Sequence, residues 1–402
     1  MDARRIKKIK DMARNLAPET VDIRRRLHAR PELAWREIET SGYVERRLAE
    51  LGLTDIKRGF GGTESGVTAE IRGSQAGPCV ALRADMDALP VREENDVPYR
   101  SQNEGTMHAC GHDGHVAILL SAAKILASMS PELPGRVRLI FQPAEETGLP
   151  SGAAEMIEEG VLDGVDSIGG LHLWSFVETG KVQWRAGPVM ASSDRLSVTI
   201  RGRGGHGAMP HAAVDPTVAA ASCIGAVQTI TSREIDPIDT AVVSIGKISA
   251  GDTFNVIPDS VGIMGSLRSF NPDVRGKMEE RLRRIACGIA SAYRCTAETE
   301  VTYMLPCVVN DPGVTNLLKE TALAVVGPDM TEESPPLMVS EDFGAYLERV
   351  PGTFFFVGAG NKSKGADHPH HSPRFNIDED ALAEGAAMMA SFALAAMENP
   401  RG

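Results

Sequence analysis

Residues 79–89 have the sequence CVALRADMDAL, an apolar run that ends in two carboxylates, Asp85 and Asp87. Such a run predicts a buried strand, and ligand sites in open α/β sheets form at the carboxyl ends of their strands. The alternative is that the two aspartates only cap the following turn. This stretch therefore predicts a strand that either presents carboxylates to a site or ends in an ordinary turn.

Apolar segments of the same kind lie on both sides of it and alternate with helical periodicity. They cover residues 67–73, 136–142 and 167–174, and a helical pattern covers residues 116–129. Strands that alternate with helices are typical of an α/β domain with a mostly parallel sheet. We therefore predict the α/β fold class for the main domain.

The pattern changes near Gly187. Between residues 187 and 305 the order is strand, helix, strand, strand, helix, strand, which is the ferredoxin-like α+β unit (βαββαβ). The α/β pattern resumes after Leu305. We therefore predict a main domain made of residues 1–186 and 306–402, with residues 187–305 as an inserted second domain.

Composition excludes several classes of partner. The chain has 402 residues with 42 Lys and Arg against 54 Asp and Glu, a net charge of −12. A net negative chain is poorly suited to phosphate backbones, so we expect no nucleic-acid partner. The sequence shows no secretory signal and no apolar run of the roughly 20 residues that a membrane span needs, so we expect a cytoplasmic protein without a membrane partner. The six cysteines are scattered, which argues against a disulfide framework.

Nine of the ten histidines lie in clusters from residue 108 onward, and the densest cluster is MHACGHDGH, residues 107–115. It combines thiolate, imidazole and carboxylate groups, which are the side chains that bind transition metals. The alternative is a solvated, histidine-rich loop. The ligand-type residues of this cluster are His108, Cys110, His112, Asp113 and His115.

Two more candidates follow predicted strands. Glu145 and Glu146 are adjacent in FQPAEETG, residues 141–148, so their side chains point in different directions. One of them can then bind a metal ion while the other acts as a general base, although the pair could also be an ordinary acidic helix cap. His172 lies inside the apolar segment 169–174, where a lone histidine is more often a core residue than a ligand.

A last histidine cluster, with His368, His370 and His371, follows a buried strand and a glycine turn, and it could also be a solvated loop. Together, the ligand-type side chains come from separate strand ends and are enough for two metal ions. Paired ions about 3.5–4 Å apart lower the pKa of a shared water to about 7 and polarise a carbonyl. The pattern therefore indicates metal-assisted hydrolysis.

The same motifs occur in the same order in a known family. They are LHARPELAWREIETS (27–41), RADMDALP (83–90), MHACGHDGH (107–115), FQPAEE (141–146), GLHLW (170–174), GGHGAMPH (204–211), NVIPD (255–259), SEDF (340–343) and HHSPRFNIDEDAL (370–382). The chain resembles the di-metal amidohydrolases of the aminoacylase and carboxypeptidase type. Within them it is most similar to the hippurate hydrolases, N-acyl-amino-acid amidohydrolases and indole-acetyl-amino-acid hydrolases.

This resemblance implies roles for the candidate residues of the main domain. The ligands of a two-metal site would be Cys110, His112, Glu146, His172 and His371. Cys110 would be the bridging thiolate and Glu145 the general base, and Asp87 and Asp113 would support the ligands from behind. His370 stays open as an alternative to His371.

The resemblance also implies roles in the inserted domain, which would act as a lid and as the dimerisation domain of a homodimer or a dimer of dimers. His206 would stabilise the oxyanion in the active site of the partner subunit. Asn255 and Arg268 would contact the substrate, and an arginine fork suits the α-carboxylate of an amino acid. The residues alone favour a surface histidine in a glycine-rich turn for His206. They also allow Asn255 to be a turn residue and Arg268 a solvated strand end.

The activity implied is hydrolysis of the amide bond of N-acyl amino acids, hippurate-like or N-acetylated, through a metal-activated water with Glu145 as general base. A metallo-dipeptidase or carboxypeptidase with the same site, or a metal-binding protein without activity, is the alternative. The mixed ligand set suits Zn, Mn, Co or Ni. Ser175 stands where proline is commoner in this branch, so the preferred acyl group stays open.

Overall fold

The structure is a computed structural model that describes residues 2–399, and this part of the chain forms two compact units. The first unit extends to Val189 and continues over Val309–Pro335 and from Asp342 onward. The second unit consists of Met190–Val308 and Pro336–Glu341. The sequence predicts an inserted domain at residues 187–305. The second unit of the structure covers nearly the same residues and also includes the separate segment Pro336–Glu341.

The helices of residues 2–399 fall mostly in the first unit. They are α1 (Ala3–His28), α2 (Ile38–Glu50), α3 (His112–Ser128), α4 (Gly152–Glu158), α5 (Pro216–Val227), α6 (Pro272–Ala292), α7 (Pro312–Val325), α8 (Gly344–Leu347) and α9 (Ala381–Glu398).

The strands include several of only two to four residues. They are β1 (Ile56–Arg58), β2 (Val67–Arg72), β3 (Cys79–Asp85), β4 (Arg136–Gln142), β5 (Ser167–Glu178), β6 (Val182–Trp184), β7 (Gly187–Met190), β8 (Ser193–Arg201), β9 (Gly205–His206), β10 (Ala241–Ala250), β11 (Val256–Ile257), β12 (Ser260–Ser269), β13 (Thr296–Leu305), β14 (Val308–Asn310), β15 (Thr331–Glu333) and β16 (Gly352–Gly360).

The first unit is built on an eight-stranded sheet with the order β1-β2-β4-β3-β5-β16-β6-β15. Its four central strands, β4, β3, β5 and β16, are parallel, whereas β2 and β6 pair antiparallel with this group. Every residue of β3 is buried, as its apolar run predicts. Because the central strands are parallel, their carboxyl ends meet at one edge of the sheet, where α/β proteins form their sites.

Helix α9 is mostly apolar. By length and composition it could cross a membrane, but 83% of this helix is buried inside the protein, against α1, α3 and α7. A helix that is hydrophobic on all sides and enclosed by other elements is a core helix of a globular unit. We therefore assign α9 to the hydrophobic core of the first unit, where its side chains such as Phe392 are fully buried.

The second unit has its own sheet and its own core. Strands β10, β12, β8 and β13 form an antiparallel sheet in that order, and α5 and α6 follow β8 and β12 in the chain. The sequence order is therefore β-α-β-β-α-β, and Leu196, Val198 and Ile200 alternate into the buried face as expected. The predicted fold class, a mostly parallel α/β domain with an inserted ferredoxin-like unit, is confirmed.

Candidate metal centre

The start of α3 brings two candidate ligands together. Gly111 precedes the helix with a φ of 92°, a left-handed conformation that glycine adopts without steric cost. This turn places Cys110 just outside the helix and His112 at its first position. Both side chains are buried.

The other candidates come from the sheet of the first unit. Glu145 and Glu146 follow β4 by three and four residues, and His172 lies within β5, where it pairs with Phe356 of the parallel strand β16. His371 lies in the loop after β16 and has a φ of 66°, uncommon for a residue other than glycine. Segments far apart in the sequence thus converge as expected from the strand order.

Two groups of three ligand-type side chains form there and share Cys110. One contains Cys110, His112 and His172, the other Cys110, Glu146 and His371, and within each group the ligand atoms lie within 4.8 Å of one another. The Cys110 Sγ atom is 3.5 Å from His172 Nε2, and His371 Nε2 is 3.3 Å from Glu146 Oε1. We call these groups the two triads. Cys110 is thus the residue that the two triads have in common.

The chemistry of these side chains also fits metal ions. His112 Nε2 is buried and has no hydrogen-bond partner among residues 2–399. Burial disfavours the charged imidazolium, but the carboxylates of Asp85 and Asp87 outweigh it and raise the pKa of His112 to about 10. Burial and the carboxylates of Glu146 and Glu145 raise the pKa of the Cys110 thiol. The site therefore concentrates negative charge that a cation would neutralise.

Asp87 connects the base and a ligand. Its carboxylate accepts the backbone N–H groups of Glu145 (3.1 Å) and Glu146 (2.9 Å), and its backbone carbonyl lies 2.9 Å from His112 Nδ1. A hydrogen bond at Nδ1 fixes the tautomer that leaves Nε2 free to bind a metal ion. Asp87 therefore holds both the His112 ring and the turn that carries Glu145 and Glu146.

Asp85, His112 and His115 form another compact group, but His115 has no atom left for a metal ion. Its Nδ1 donates to Asp85 Oδ1 at 2.6 Å, and its Nε2 accepts the backbone N–H of Leu173 at 2.9 Å. Burial lowers the pKa of His115, consistent with the neutral form. His115 thus connects α3 to β5 next to His172 and holds the strand in place.

The hydrogen-bond partners of Asp113 lie outside the two triads. Its carboxylate accepts from Arg24 Nε at 2.9 Å and from His28 Nδ1 at 2.7 Å, and all three side chains are buried. The Nε2 atom of His28 in turn lies 3.1 Å from Glu93 Oε1. Asp113 therefore connects α3 to α1 through charge pairs. These contacts do not show the support of a metal ligand that the family resemblance implies for Asp113.

His370 and His371, the two alternatives, have different surroundings. His371 belongs to a triad, whereas the ring of His370 stacks on Trp174 at a centroid distance of 4.6 Å. His370 Nε2 accepts the backbone N–H of Ser175 at 3.3 Å, and its Nδ1 lies 3.9 Å from Cys110 Sγ. The geometry favours His371 as the ligand and gives His370 a place beside the thiolate.

The candidates of the second unit are close to the β9–β11 ribbon and to β12. His206 is exposed and pairs with Val256 in the ribbon, and the carbonyl of Asn255 accepts the N–H of Gly207 at 2.8 Å. Arg268 donates from Nη1 to the carbonyl of Met338 at 2.9 Å and to Ser340 Oγ at 3.3 Å. His206 and Asn255 therefore lie in one ribbon, whereas Arg268 is held against the 336–341 segment.

One residue close to the base was not found from the sequence. Glu37 precedes α2, is fully buried, and accepts the backbone N–H of Ala144 at 2.9 Å. Its position inside the 27–41 motif was the available signal, but an acidic residue before a helix is usually a solvated cap.

Comparison with known proteins now identifies the family. The model of peptidase family M20/M25/M40 matches residues 81–395, which is more than half of the chain and includes all five residues of the two triads and the adjacent Glu145. The chain belongs to this family. The resemblance inferred from the motifs is thereby confirmed.

Several known proteins are similar over most of their length. Thermostable carboxypeptidase 1 of Saccharolobus solfataricus is 40% identical over 390 residues, 97% of this chain and 98% of that one. N-acetyl-L-cysteine deacetylase of Bacillus subtilis is 41% identical over 371 residues, 91% and 85% of the two chains. The crystal structure of Bacillus subtilis YxeP, a dinuclear metal-binding peptidase of the M20 family, has a TM-score of 0.85 at 36% identity, covering 96% of this chain and 99% of that one.

The M20 membership agrees with the geometry. The protein is a metal-dependent enzyme of the amidohydrolase and peptidase class with a site for two metal ions, as predicted, and not a metal-binding protein without activity. The two triads supply thiolate, imidazole and carboxylate donors for two ions, with Cys110 available to both.

Proposed function

We propose that the protein hydrolyses the amide bond between an acyl group and an amino acid. The observation that carries the proposal is the position of Glu145. It lies outside both triads, yet its carboxylate is within 4.8 Å of ligand atoms of His112 and Glu146. A carboxylate next to a metal centre, but not needed to bind it, is placed to move protons.

Two ions held by the triads would polarise the amide carbonyl and make a water molecule more acidic. Glu145 accepts the proton of the attacking water and then donates it to the nitrogen of the leaving amino group. Glu145 is only 8% exposed, and its backbone N–H donates to the carboxylate of Asp87. The base is therefore held in a mostly dry position where bulk water competes little for its proton.

The amino-acid half of the substrate requires a group that binds its α-carboxylate. We propose Arg268 for this contact, because its Nη1 atom is already fixed by Met338 and Ser340 and the guanidinium fork has further donors. Asn255 and His206 would contact the substrate from the β9–β11 ribbon. A deacetylase of N-acetyl-L-cysteine among the relatives supports an N-acyl amino acid as substrate.

A second candidate function is that of a carboxypeptidase or dipeptidase. The similarity to a thermostable carboxypeptidase favours it, since that relative covers almost the same length. Both activities would use the same ions, the same base and the same carboxylate contact. Only the group on the acyl side of the scissile bond differs.

We also propose that the protein is a homodimer formed through the second unit. Large apolar side chains are exposed close to His206, with Phe254 fully exposed and Val256 and Met209 about half exposed. Exposed apolar side chains in a group indicate an interaction surface, and a second copy of the chain is the partner that we propose.

The proposed function is tested by a panel of N-acyl amino acids, including hippurate, and of free dipeptides, each with and without EDTA. We expect turnover of N-acyl amino acids that EDTA abolishes. Glu145→Gln should lower kcat by about 10²–10⁴-fold while the bound metal stays unchanged.

The matched control is Glu158→Gln. The side chain of Glu158 on α4 is 76% exposed, so this variant should keep the wild-type kcat. Turnover that survives EDTA, or a Glu145→Gln variant as active as the wild type, would refute the mechanism. A clear preference for free dipeptides would favour the second candidate function.

A further inference from the structure

The turn that carries Glu145 and Glu146 has an unusual backbone. Ala144 has a φ of 53°, in the left-handed region that residues other than glycine rarely adopt. Such a conformation persists only where the surroundings enforce it. The carbonyl of Ala144 accepts the N–H of Gly152, the first residue of α4, at 3.1 Å, so α4 fixes one side of the turn.

Two buried carboxylates hold the other side of this turn. The N–H of Ala144 donates to Glu37 Oε1 at 2.9 Å, and the next two N–H groups donate to the two oxygens of Asp87. Three successive N–H groups of the turn are therefore held by two carboxylates. Glu37 is fully buried and Asp87 is 1% exposed, so water does not compete for these hydrogen bonds.

We propose that Glu37 is a positioning residue that fixes the Ala144 turn and thereby orients the general base Glu145. The proposal rests on the catalytic role proposed for Glu145. Asp87 contacts both the turn and His112, whereas the carboxylate of Glu37 accepts the N–H of Ala144 in the turn. Glu37 therefore acts on the orientation of the base without holding a metal ligand.

The proposed role depends on the acceptor oxygen of Glu37 and on its reach, not on its charge. Burial raises the pKa of Glu37, and the nearby Asp87 raises it further, to about 7. A neutral side chain of the same length should therefore replace Glu37 well, because a glutamine oxygen can accept the Ala144 N–H in the same place.

The experiment compares three substitutions. In Glu37→Ala we expect kcat to fall by about 10²-fold with KM within about threefold, since a displaced base affects the chemical step more than binding. Glu37→Gln should restore kcat to within about threefold of the wild type. Glu37→Asp keeps the charge but withdraws the oxygen by one methylene, so its kcat should fall by at least about tenfold.

A second measurement does not depend on turnover. Amide hydrogen exchange of the peptide 141–148, followed by mass spectrometry on the metal-free protein, should be at least about tenfold faster in Glu37→Asp and Glu37→Ala than in Glu37→Gln. If no substrate is found for the wild type, the proposed function fails, but this exchange comparison still decides the role of Glu37.

The matched control is Glu32→Ala. The Glu32 carboxylate accepts the N–H groups of Glu39 (3.1 Å) and Thr40 (2.8 Å) at the first turn of α2, close to Glu37 but without contact to Ala144. It should leave the exchange of peptide 141–148 unchanged. The proposal is overturned if Glu37→Asp matches the wild type in both measurements, or if Glu37→Gln is as impaired as Glu37→Asp. The Gln and Asp variants decide the question even if Glu37→Ala does not fold.

Discussion

The surroundings of Cys110 and His112 favour the protonated form of both side chains in the metal-free protein. The pKa of the Cys110 thiol is raised by burial and by neighbouring carboxylates, and that of His112 is raised to about 10. Metals bind the thiolate and the neutral imidazole, so binding must release both protons. The binding equilibrium is therefore coupled to pH at two residues of the same triad.

We predict that the affinity for Zn or Mn rises as the pH rises from 6 to 8, because fewer protons then have to be displaced. Release of two protons corresponds to a change of up to about 100-fold per pH unit. Chelator competition at several pH values measures this dependence. Cys110→Ser should weaken binding and reduce the slope, whereas Cys287→Ser, at an exposed cysteine on α6, should keep the wild-type behaviour. An affinity that does not change with pH would contradict the prediction.

At the scale of single residues, the sequence predicts which residue types gather at the metal centre. It does not predict which of their nitrogen or oxygen atoms already have a hydrogen-bond partner. Cys110, His112 and Glu146 stand out because their types and spacing suit a metal. His115 has the same type and lies three residues from His112, yet the N–H of Leu173, more than 50 residues away, occupies its ring nitrogen. Whether a ring nitrogen of His115 is free to bind a metal ion depends on the packing of α3 against β5. A local sequence pattern does not predict this packing.

Helices α1 and α3 are connected by a buried ion pair. The side chains of Arg24 and Asp113 are both 0% exposed, and Arg24 Nε is 2.9 Å from Asp113 Oδ2. Burial opposes ionisation of Asp113, but Arg24 and His28 outweigh it and hold the pKa of this carboxyl well below its usual range. Its contribution to stability is therefore present above about pH 4, the usual value of an unfolded aspartate, and is lost as the pH falls through the lower folded value.

We predict that Asp113→Asn destabilises the protein by up to about 3–5 kcal/mol at pH 7, because it removes the buried anionic acceptor that Arg24 Nε and His28 Nδ1 share and leaves Arg24 only its ion pair with Glu379. Urea unfolding at pH 7 and below pH 4 measures the difference, which should shrink at the lower pH. Asp11→Asn, at an exposed position of the same helix α1, should change stability by no more than about 0.5 kcal/mol. Equal unfolding midpoints for the two variants would contradict the prediction.

Among the elements, the long ones could be predicted and the short ones could not. The apolar run of β3 and the alternation of β8 have the period of strands, and both form as expected. The strands β1, β6 and β15 have three residues each, too few for a period to be visible, and they exist because a neighbouring strand offers free hydrogen-bonding groups. Their formation is a property of the sheet and not of the segment.

At the scale of the whole molecule, the insertion could be predicted because the sequence period changes from one fold class to another near residues 187 and 305. The Pro336–Glu341 segment that belongs to the second unit has no such period, and its assignment depends on contacts with Arg268 and Ala191. The preferred acyl group escapes prediction for a related reason. It depends on the shape of a pocket, which residue types and their spacing do not determine.

The proposed dimer leads to a prediction that involves two chains. If His206 serves the site of the partner subunit, Glu145→Gln and His206→Ala should each inactivate a homodimer while leaving its bound metal unchanged. A heterodimer of the two variants, co-expressed with different tags and purified through both, contains one intact combination: the Glu145 of one chain with the His206 of the other. We expect about half of the wild-type kcat per dimer, since one of two equivalent sites is restored.

Light scattering provides the control for this test, because all three species must have the mass of a dimer. A heterodimer no more active than its better parent would show that His206 serves its own chain or neither, and a monomeric wild type would refute the proposed dimer itself. Because each variant alone is inactive, recovered activity can come only from residues contributed by both chains. The heterodimer therefore distinguishes a His206 that acts in the partner's active site from a variant that merely destabilises its own chain, because pairing two destabilised chains would not restore activity.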